Sequence, residues 1–500
     1  PEVQKQLDEL KDPNLNPEDI KVLDPAMGSG HILVYAFDVL YEIYLSAGYS
    51  EREIPTLILE KNLYGLDIDD RAGQLATFAL LMKARSKNRR IFRHKPKMNL
   101  CSIQESNDIP KEAIEYLVSP KETELEKHFH REDVEYLIEV FHDAKEYGSI
   151  LDVKEIDFDA LEKRIEEIRN NVPEDLFELQ YREVILEKIP PLIEQAKIMS
   201  QKYDVVCTNP PYMGRNGMNL KLAKYLDENF KDSKTDLFAV FMEVSHKLLI
   251  PNGMYSMINQ HSWMFISSYL NLREKILSNE ITINMLHLGA RAFEEIAGEV
   301  VQSTAFIQRK LKCDLFRGKY IKLVDLNTSK QKEIHTLDVV KGCNKRVYKC
   351  YIKNFKQIPN FTIAYWAGKR LIEIFDREKA IKDYYECKSG IMTGNDSIFV
   401  KSWYEVNNKD IKFDARNYNE MHDYKWFPLN KGGGFRRYYG NNEYIVYLKN
   451  MGEKIKQIST NYRLRDKEYY FLQGITWSRI STGDISFREV VKGSLFADAG

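Results

Sequence analysis

The chain has 500 residues, 43% of them hydrophobic and 29% charged, with a formal net charge of −1. That balance excludes a disordered chain, and no apolar run reaches the roughly 18 residues of a membrane span. The length predicts two or three compact units.

The neutral total hides opposed regions. Residues 301–500 hold 37 Lys and Arg against 22 Asp and Glu, whereas residues 101–200 hold 12 against 26. A basic stretch of that size suits a phosphate-rich partner, with a solvated mixed surface as the alternative. The six cysteines show no CxxC pair and no zinc-site spacing, which predicts free thiols in a reducing cytoplasm and no metal. The chain opens at Pro1 without a signal-peptide pattern, so upstream sequence is expected.

In chain order, the apolar run at 20–23 predicts a strand ending at Asp24, then a turn through Gly28 and Gly30 into a helix over 32–45. A second strand over 62–66 ends at Asp67, a helix covers 71–85, and 98–103 reads as a third strand. Residues 105–200 read as an acidic helical insertion whose charge argues that it faces away from nucleic acid. Alternation resumes with a strand over 203–208 running into Asn209-Pro210-Pro211-Tyr212. A helix over 236–250 follows, stopped by the turn signature Pro251-Asn252-Gly253. Strands at 254–258, 283–288 and 303–308 complete the pattern, with a helix near 268–277. This is the alternation of an α/β, Rossmann-like doubly wound sheet with ligands at the carboxyl ends of its strands. After about residue 313, short β-like runs, aromatics and Gly-rich turns predict a β-rich unit cut short at Gly500. The expected division is 1–104 and 201–312 as two halves of one domain, 105–200 as the insertion, and 313–500 as linker and β-rich domain.

Three motifs carry chemistry. In Asp24-Pro25-Ala26-Met27-Gly28-Ser29-Gly30 the glycines let backbone approach a ligand, but neither GxGxxG nor Walker spacing is present, which suits a cofactor without phosphate. A plain structural turn is the other reading. In Gly65-Leu66-Asp67-Ile68-Asp69, Asp67 at the strand end suits ribose hydroxyls, whereas Asp69 or Asp70 suits a helix cap. In Asn209-Pro210-Pro211-Tyr212 two prolines remove two backbone donors. The Asn209 side-chain oxygen and the Pro210 carbonyl remain as fixed acceptors, suited to an amino group, and Tyr212 offers a stacking face.

In this order the three motifs resemble those of the γ-type N6-adenine DNA methyltransferases, in particular the PglX methyltransferases of bacterial BREX phage-defence systems and, next, the fused type IIG restriction–modification enzymes. Four further segments share the resemblance: Asp236-Leu237-Phe238, Asn259-Gln260-His261-Ser262-Trp263, Gly289-Ala290-Arg291-Ala292-Phe293 and Gly474-Ile475-Thr476-Trp477-Ser478. It implies a class I methyltransferase sheet followed by a target-recognition domain. It further implies S-adenosyl-L-methionine held by Asp24, Pro25, Ala26, Gly28, Gly30, Asp67 and Ile68. The implied chemistry is direct methyl transfer to a flipped adenine at Asn209-Pro210-Pro211-Tyr212, without a metal. Phe293 would be a second aromatic on the base; an ordinary core Phe is the alternative.

Two departures stand out. The upstream F/Y-x-x-P-type segment is not in this sequence. The third strand end lacks the usual Asp, which leaves Ser102 or a backbone group for the cofactor adenine. Double-stranded DNA is the expected partner of a monomeric catalytic unit in the bacterial cytoplasm, with other defence proteins as further candidates and no membrane. Lys431, Arg436, Arg437 and Arg479 are its candidate DNA contacts. Methylation of RNA or of a protein glutamine, a fused nuclease, and a recognition scaffold are the rival readings. The target sequence is not legible.

Overall fold

The structure is a computed structural model that describes residues 2–93, 95–118, 124–293, 301–478, 484 and 486–498. The chain divides into two compact units, Pro1–Arg377 and Glu378–Gly500.

The first unit is built on nine strands: β1 Val22–Asp24, β2 Leu63–Asp67, β3 Asn99–Ser102, β4 Tyr203–Thr208, β5 Leu249–Gln260, β6 Ile281–Gly289, β7 Ser303–Arg309, β8 Arg317–Lys322 and β9 Val347–Tyr351. They lie in the order β3-β2-β1-β4-β5-β7-β6-β8-β9. The strands β1 to β5 pair in parallel, whereas β7 runs antiparallel to both β5 and β6. The chain winds outward through β2 and β3, returns to the middle for β4, then winds out the other way. The switch point therefore lies between β1 and β4, where open α/β sheets hold their ligands.

The central strands are apolar on both faces because both are covered. Leu23 and Val206 join the core under the helices Leu176–Ser200 and Leu237–Leu248. Val22 and Val205 face the helices His31–Ser46 and Asp70–Lys87. Alternate burial along β5 and β7 follows the two-residue period of a strand.

Two expectations need correction. Pro251-Asn252-Gly253 does not end an element: β5 runs through it, with Asn252 at φ 65° and a register shift against β4 between Tyr203 and Val205. The turn chemistry is absorbed as a bulge. Nor does the sheet stop at residue 312, because β8 pairs in parallel with β6 and β9 closes the edge. The compact unit ends only at Arg377. Three of the six residues of β8 are Lys or Arg, too many to read as a buried strand, which is why the texture changes before the unit does.

The insertion is helical, with helices Lys111–Leu117, Glu124–Val140, Phe158–Asn170 and Leu176–Ser200. The second unit has a four-stranded sheet, β10 Val400–Ser402, β11 Trp426–Asn430, β12 Tyr444–Tyr447 and β15 Leu495–Phe496. β13 Gly474–Trp477 and β14 Phe487–Val490 pair antiparallel in a separate two-stranded sheet. Phe399, Phe427, Val446 and Phe471 form its core. Among the described residues, no helix is long and apolar enough to cross a membrane.

Candidate active site

Asp24 ends β1 with its side chain 1% exposed, and its Oδ1 accepts the Ala26 N–H at 3.1 Å. Burial pushes its carboxyl up to about 7; the charge of Asp67 adds to the rise, while the Thr208 hydroxyl and the Ala26 N–H oppose it. The loop then turns through Gly28 at φ 52° and Gly30 at φ 84°. A Cβ on Gly30 would stand 3.0 Å from Ala76, so the helix His31–Ser46 packs there only because no side chain intervenes. A Cβ on Gly28 would meet nothing within 4 Å, leaving open space above the loop. Asp67, at the end of β2, accepts the Gly28 N–H at 2.8 Å on one oxygen and the Asp69 N–H at 2.9 Å on the other. Each oxygen keeps a lone pair for a ligand. Asp69 caps the helix Asp70–Lys87 by accepting the Arg71 N–H at 2.7 Å. Ser102 ends β3 against Gly73, where a Cβ would overlap its hydroxyl, and Ile68 is exposed beside the loop.

The other half lies one strand away. Asn209 follows β4 and is exposed, whereas Pro210 is buried and Pro211 exposed. Burial raises the Tyr212 phenol and keeps it protonated, so its O–H donates: the Ile258 carbonyl is 3.0 Å away and Asn209 Oδ1 3.4 Å. One proton serves the nearer acceptor, which leaves Asn209 Oδ1 available. The Tyr212 ring stands edge-on to Phe238, with centroids 6.2 Å apart. Asp236 Oδ1 takes the Met213 N–H at 3.0 Å and the Phe238 N–H at 3.4 Å, tying the exit of the loop to the start of the helix Leu237–Leu248. Burial raises its carboxyl, and these backbone donors oppose the rise. The Asp236-Leu237-Phe238 segment is thus a clamp under the loop.

The acidic insertion, expected from its charge to face away from nucleic acid, also supplies a segment, Ala144–Ile150, that stands against the site. Ser149 donates its hydroxyl to the Pro25 carbonyl at 2.5 Å, and a Cβ on Gly148 would lie 3.8 Å from Ile68. Lys145 pairs with Asp70 at 2.8 Å. On the other side, Asp143 pairs with Lys221 at 2.6 Å and Tyr147 packs on Tyr225 at 4.7 Å, both beyond Tyr212 in the chain. Such ties link residues more than 70 positions apart and leave no periodic signal to read.

At the exit of β6, Lys332 is only 3% exposed, and its ammonium donates to the carbonyls of Leu288, Ala290 and Leu326, each at 2.8 Å. These bonds hold the backbone that leads to Phe293. Phe293 is 37% exposed, so it is not a core side chain. Asn259 is buried and accepts from Thr304 at 3.1 Å. His261 and His287 meet ring to ring at 2.9 Å, and His287 also lies 2.9 Å from the Tyr365 hydroxyl. Burial pushes His287 down to about 3, and the nearby His261 ring adds to this, so the ring is neutral. Arg273, fully buried, donates to the carbonyls of Trp263, Ile266 and Asn360. This cluster braces the ends of β5 and β6.

The candidate DNA contacts lie in the second unit. Lys431 is engaged, pairing with Asp396 at 2.6 Å. Arg436 and Arg437 are exposed in a Gly-rich loop, with Arg437 5.5 Å from the Phe435 ring centroid. Arg479 lies outside the described residues. Among the described residues, no group of three or more His, Cys, Asp or Glu could hold a metal.

Residues 61–293 match the Eco57I restriction-modification methylase family. The chain is 41% identical over 496 residues to the adenine-specific methyltransferase PglX of Lacticaseibacillus casei (strain Zhang), covering 97% of this chain and 40% of that protein. It is 39% identical over 524 residues to the adenine-specific methyltransferase BrxX of Escherichia coli O9:H4 (strain HS), covering 100% and 41%. It therefore spans about two fifths of the length of these curated relatives. Among solved structures it is similar to the ATP-dependent Type ISP restriction-modification enzyme LlaBIII bound to DNA, at 14% identity and a TM-score of 0.48, over 95% of this chain and 30% of that one. The span that matches the Eco57I restriction-modification methylases runs from β2 through Asn209-Pro210-Pro211-Tyr212 to Phe293.

Proposed function

We propose that this chain is the core of a site-specific DNA methyltransferase that methylates adenine N6 from S-adenosyl-L-methionine, in a BREX-like bacterial defence system that marks self DNA. The observation that carries the reading is the pair of loops at the switch point: carboxylates and open space over Gly28 on one side, rigid acceptors at Asn209 and Pro210 on the other.

The chain's residues fit the cofactor. Two carboxylates at neighbouring strand ends, one held near neutrality by burial, suit a ligand bearing a sulfonium and an ammonium. Asp67 has lone pairs for the ribose hydroxyls. Asp24, Pro25, Ala26, Gly28 and Gly30 frame the methionine portion, and Ile68 and Ser102 flank the adenine. When bound, the cofactor supplies an electrophilic methyl group.

The chain's own work is positioning and placed charge. The target adenine is flipped from the duplex and stacks on Tyr212 and Phe293. Asn209 Oδ1 and the Pro210 carbonyl accept its two N6 hydrogens, which turns the nitrogen lone pair outward. Pro211 keeps that loop from rearranging. Asn209 is exposed, so the proton that N6 sheds reaches solvent there. In the second unit, the exposed Phe435, Arg436, Arg437, Tyr438 and Tyr439 supply a basic and aromatic loop for target recognition.

The test is to incubate the full-length protein with methyl-labelled S-adenosyl-L-methionine and unmodified bacterial DNA, beside RNA and a protein extract, with and without defence partners. Label recovered as N6-methyladenine from DNA is expected. Label in RNA or protein, or none anywhere while DNA is still bound, overturns the reading.

A further inference from the structure

The basic character of the C-terminal two-fifths is not spread evenly. Residues 301–377 hold 17 Lys and Arg against 6 Asp and Glu, whereas residues 378–500 hold 20 against 16. The excess therefore belongs to the first unit, around β8 and β9, and not to the second.

Register concentrates it. Lys319 on β8 lies directly opposite Lys349 on β9, and Arg317 opposite Tyr351. Like charges facing each other across a strand pair destabilise it. Arg317 sits 5.1 Å from the Tyr351 ring centroid and Lys353 5.4 Å from the same centroid, so two further cations gather on one ring. Arg317, Lys349 and Lys353 are exposed and Lys319 half-buried. Among the described residues none of these four has a carboxylate within ion-pair distance. Their neighbours do: Arg346 pairs with Asp325 at 2.7 Å and Lys356 with Asp314 at 2.8 Å. β9 is the last strand in the order, so the cluster lies on the open edge of the sheet. A lysine on an edge strand can guard against unwanted pairing, but a guard needs no in-register partner on the inner strand.

We propose that this edge, formed by Arg317, Lys319, Lys349 and Lys353, is a phosphate-tracking surface for the duplex whose adenine the active site methylates. It rests on the DNA reading above. Cations repeated along two strands and at Lys353 in the following helix Ile352–Lys356, gathered about one tyrosine ring rather than an apolar patch, match a uniform chain of anions better than a protein surface, which needs a desolvated core.

The experiment compares the full-length protein with its Lys319→Gln/Lys349→Gln variant for duplex DNA binding over a salt series, thermal stability, cofactor binding and self-association. The expected result has opposite signs: the variant melts at the same or a higher temperature and binds cofactor as before. Its DNA affinity falls about tenfold at low salt, and the salt slope shrinks by about 2, from roughly 0.9 per lost charge. An unchanged salt slope overturns the proposal. So does a change in self-association alone, which would assign the edge to the acidic region of a second copy, or aggregation without loss of DNA affinity, which would make it an edge guard. Arg317→Gln, which touches no strand pair of like charge, serves as the second variant, with a slope change of about 1 expected. If the unaltered protein shows no salt-dependent DNA binding, the functional reading fails first; if it binds and both variants bind equally well, only the edge proposal fails.

Discussion

The two loops beside the switch point leave adjacent strands and hold their shape by opposite means. After β1, the loop bends through two left-handed glycines and turns its N–H groups toward the carboxylates of Asp24 and Asp67. After β4, prolines have removed the N–H groups, and rigidity comes from side chains: the Tyr212 hydroxyl on Ile258, Phe238 against the ring, Asp236 on Met213. The first loop needs freedom from side chains to let a ligand close to backbone. The second needs fixed acceptors and tolerates little freedom at all. Glycine and proline, the two extremes of backbone entropy, mark that division of labour.

Removing the acceptor on the second loop is the strongest way to break this contrast. Asn209→Ala is expected to lower the rate of transfer by about 10²–10³-fold while DNA and cofactor binding persist; parallel loss of binding would make Asn209 a folding residue. Lys332→Met strips three half-buried carbonyls of their donor, and a stability loss of about 1–3 kcal/mol is expected in denaturant melts. An unaffected melt would mean that water replaces the ammonium. On the first loop, Gly30→Ala combines a strained φ with contact against Ala76 and is expected to cost about 2 kcal/mol and to weaken cofactor binding more than DNA binding. Equal weakening of both would erase the asymmetry.

Asp24 sharpens the contrast through pH. Its buried carboxyl, raised to about 7, holds a proton in the folded chain that the unfolded chain has already released. Stability should therefore fall as pH rises from about 4 to 7 and then level off. Asp24→Asn should flatten that slope and gain about 1–2 kcal/mol at pH 8. In the unaltered protein, cofactor affinity should rise through pH 7 as the carboxylate forms; a flat titration in both experiments would show the carboxyl already ionised. The smallest effect belongs to Tyr212→Phe, which keeps the ring and loses one hydrogen bond, about 0.5–1.5 kcal/mol in transfer rate. A collapse of activity would give the hydroxyl a part beyond anchoring.

The strand ends carrying Asp24, Asp67 and Asn209 were legible because apolar runs of strand length stop at polar residues with distinctive turn chemistry. The cap at Asp69 was legible for the same local reason. What escaped reading is long-range. Ser149 on Pro25, Lys332 beneath Ala290, and Arg273 under Trp263 each join distant residues through a single polar group, and nothing in their local sequence marks them. The bulge at Pro251–Gly253 escaped because a turn signature fixes a local bend without saying whether the strand continues. The charge excess was visible but misplaced: composition counted over 200 residues averaged a strongly basic edge with a nearly balanced unit.

The bridge Ala144–Ile150 makes the two loops thermodynamic neighbours. It grips Pro25 on one side through Ser149 and the helix Leu220–Asn229 on the other through Tyr147, with the Asp143–Lys221 ion pair at the residue just before it. A ligand over Gly28 that orders this segment also orders what the segment holds beyond Tyr212, and such coupling between sites is reciprocal. A ligand over Gly28 and one held at Asn209 would then change each other's affinity by the same factor.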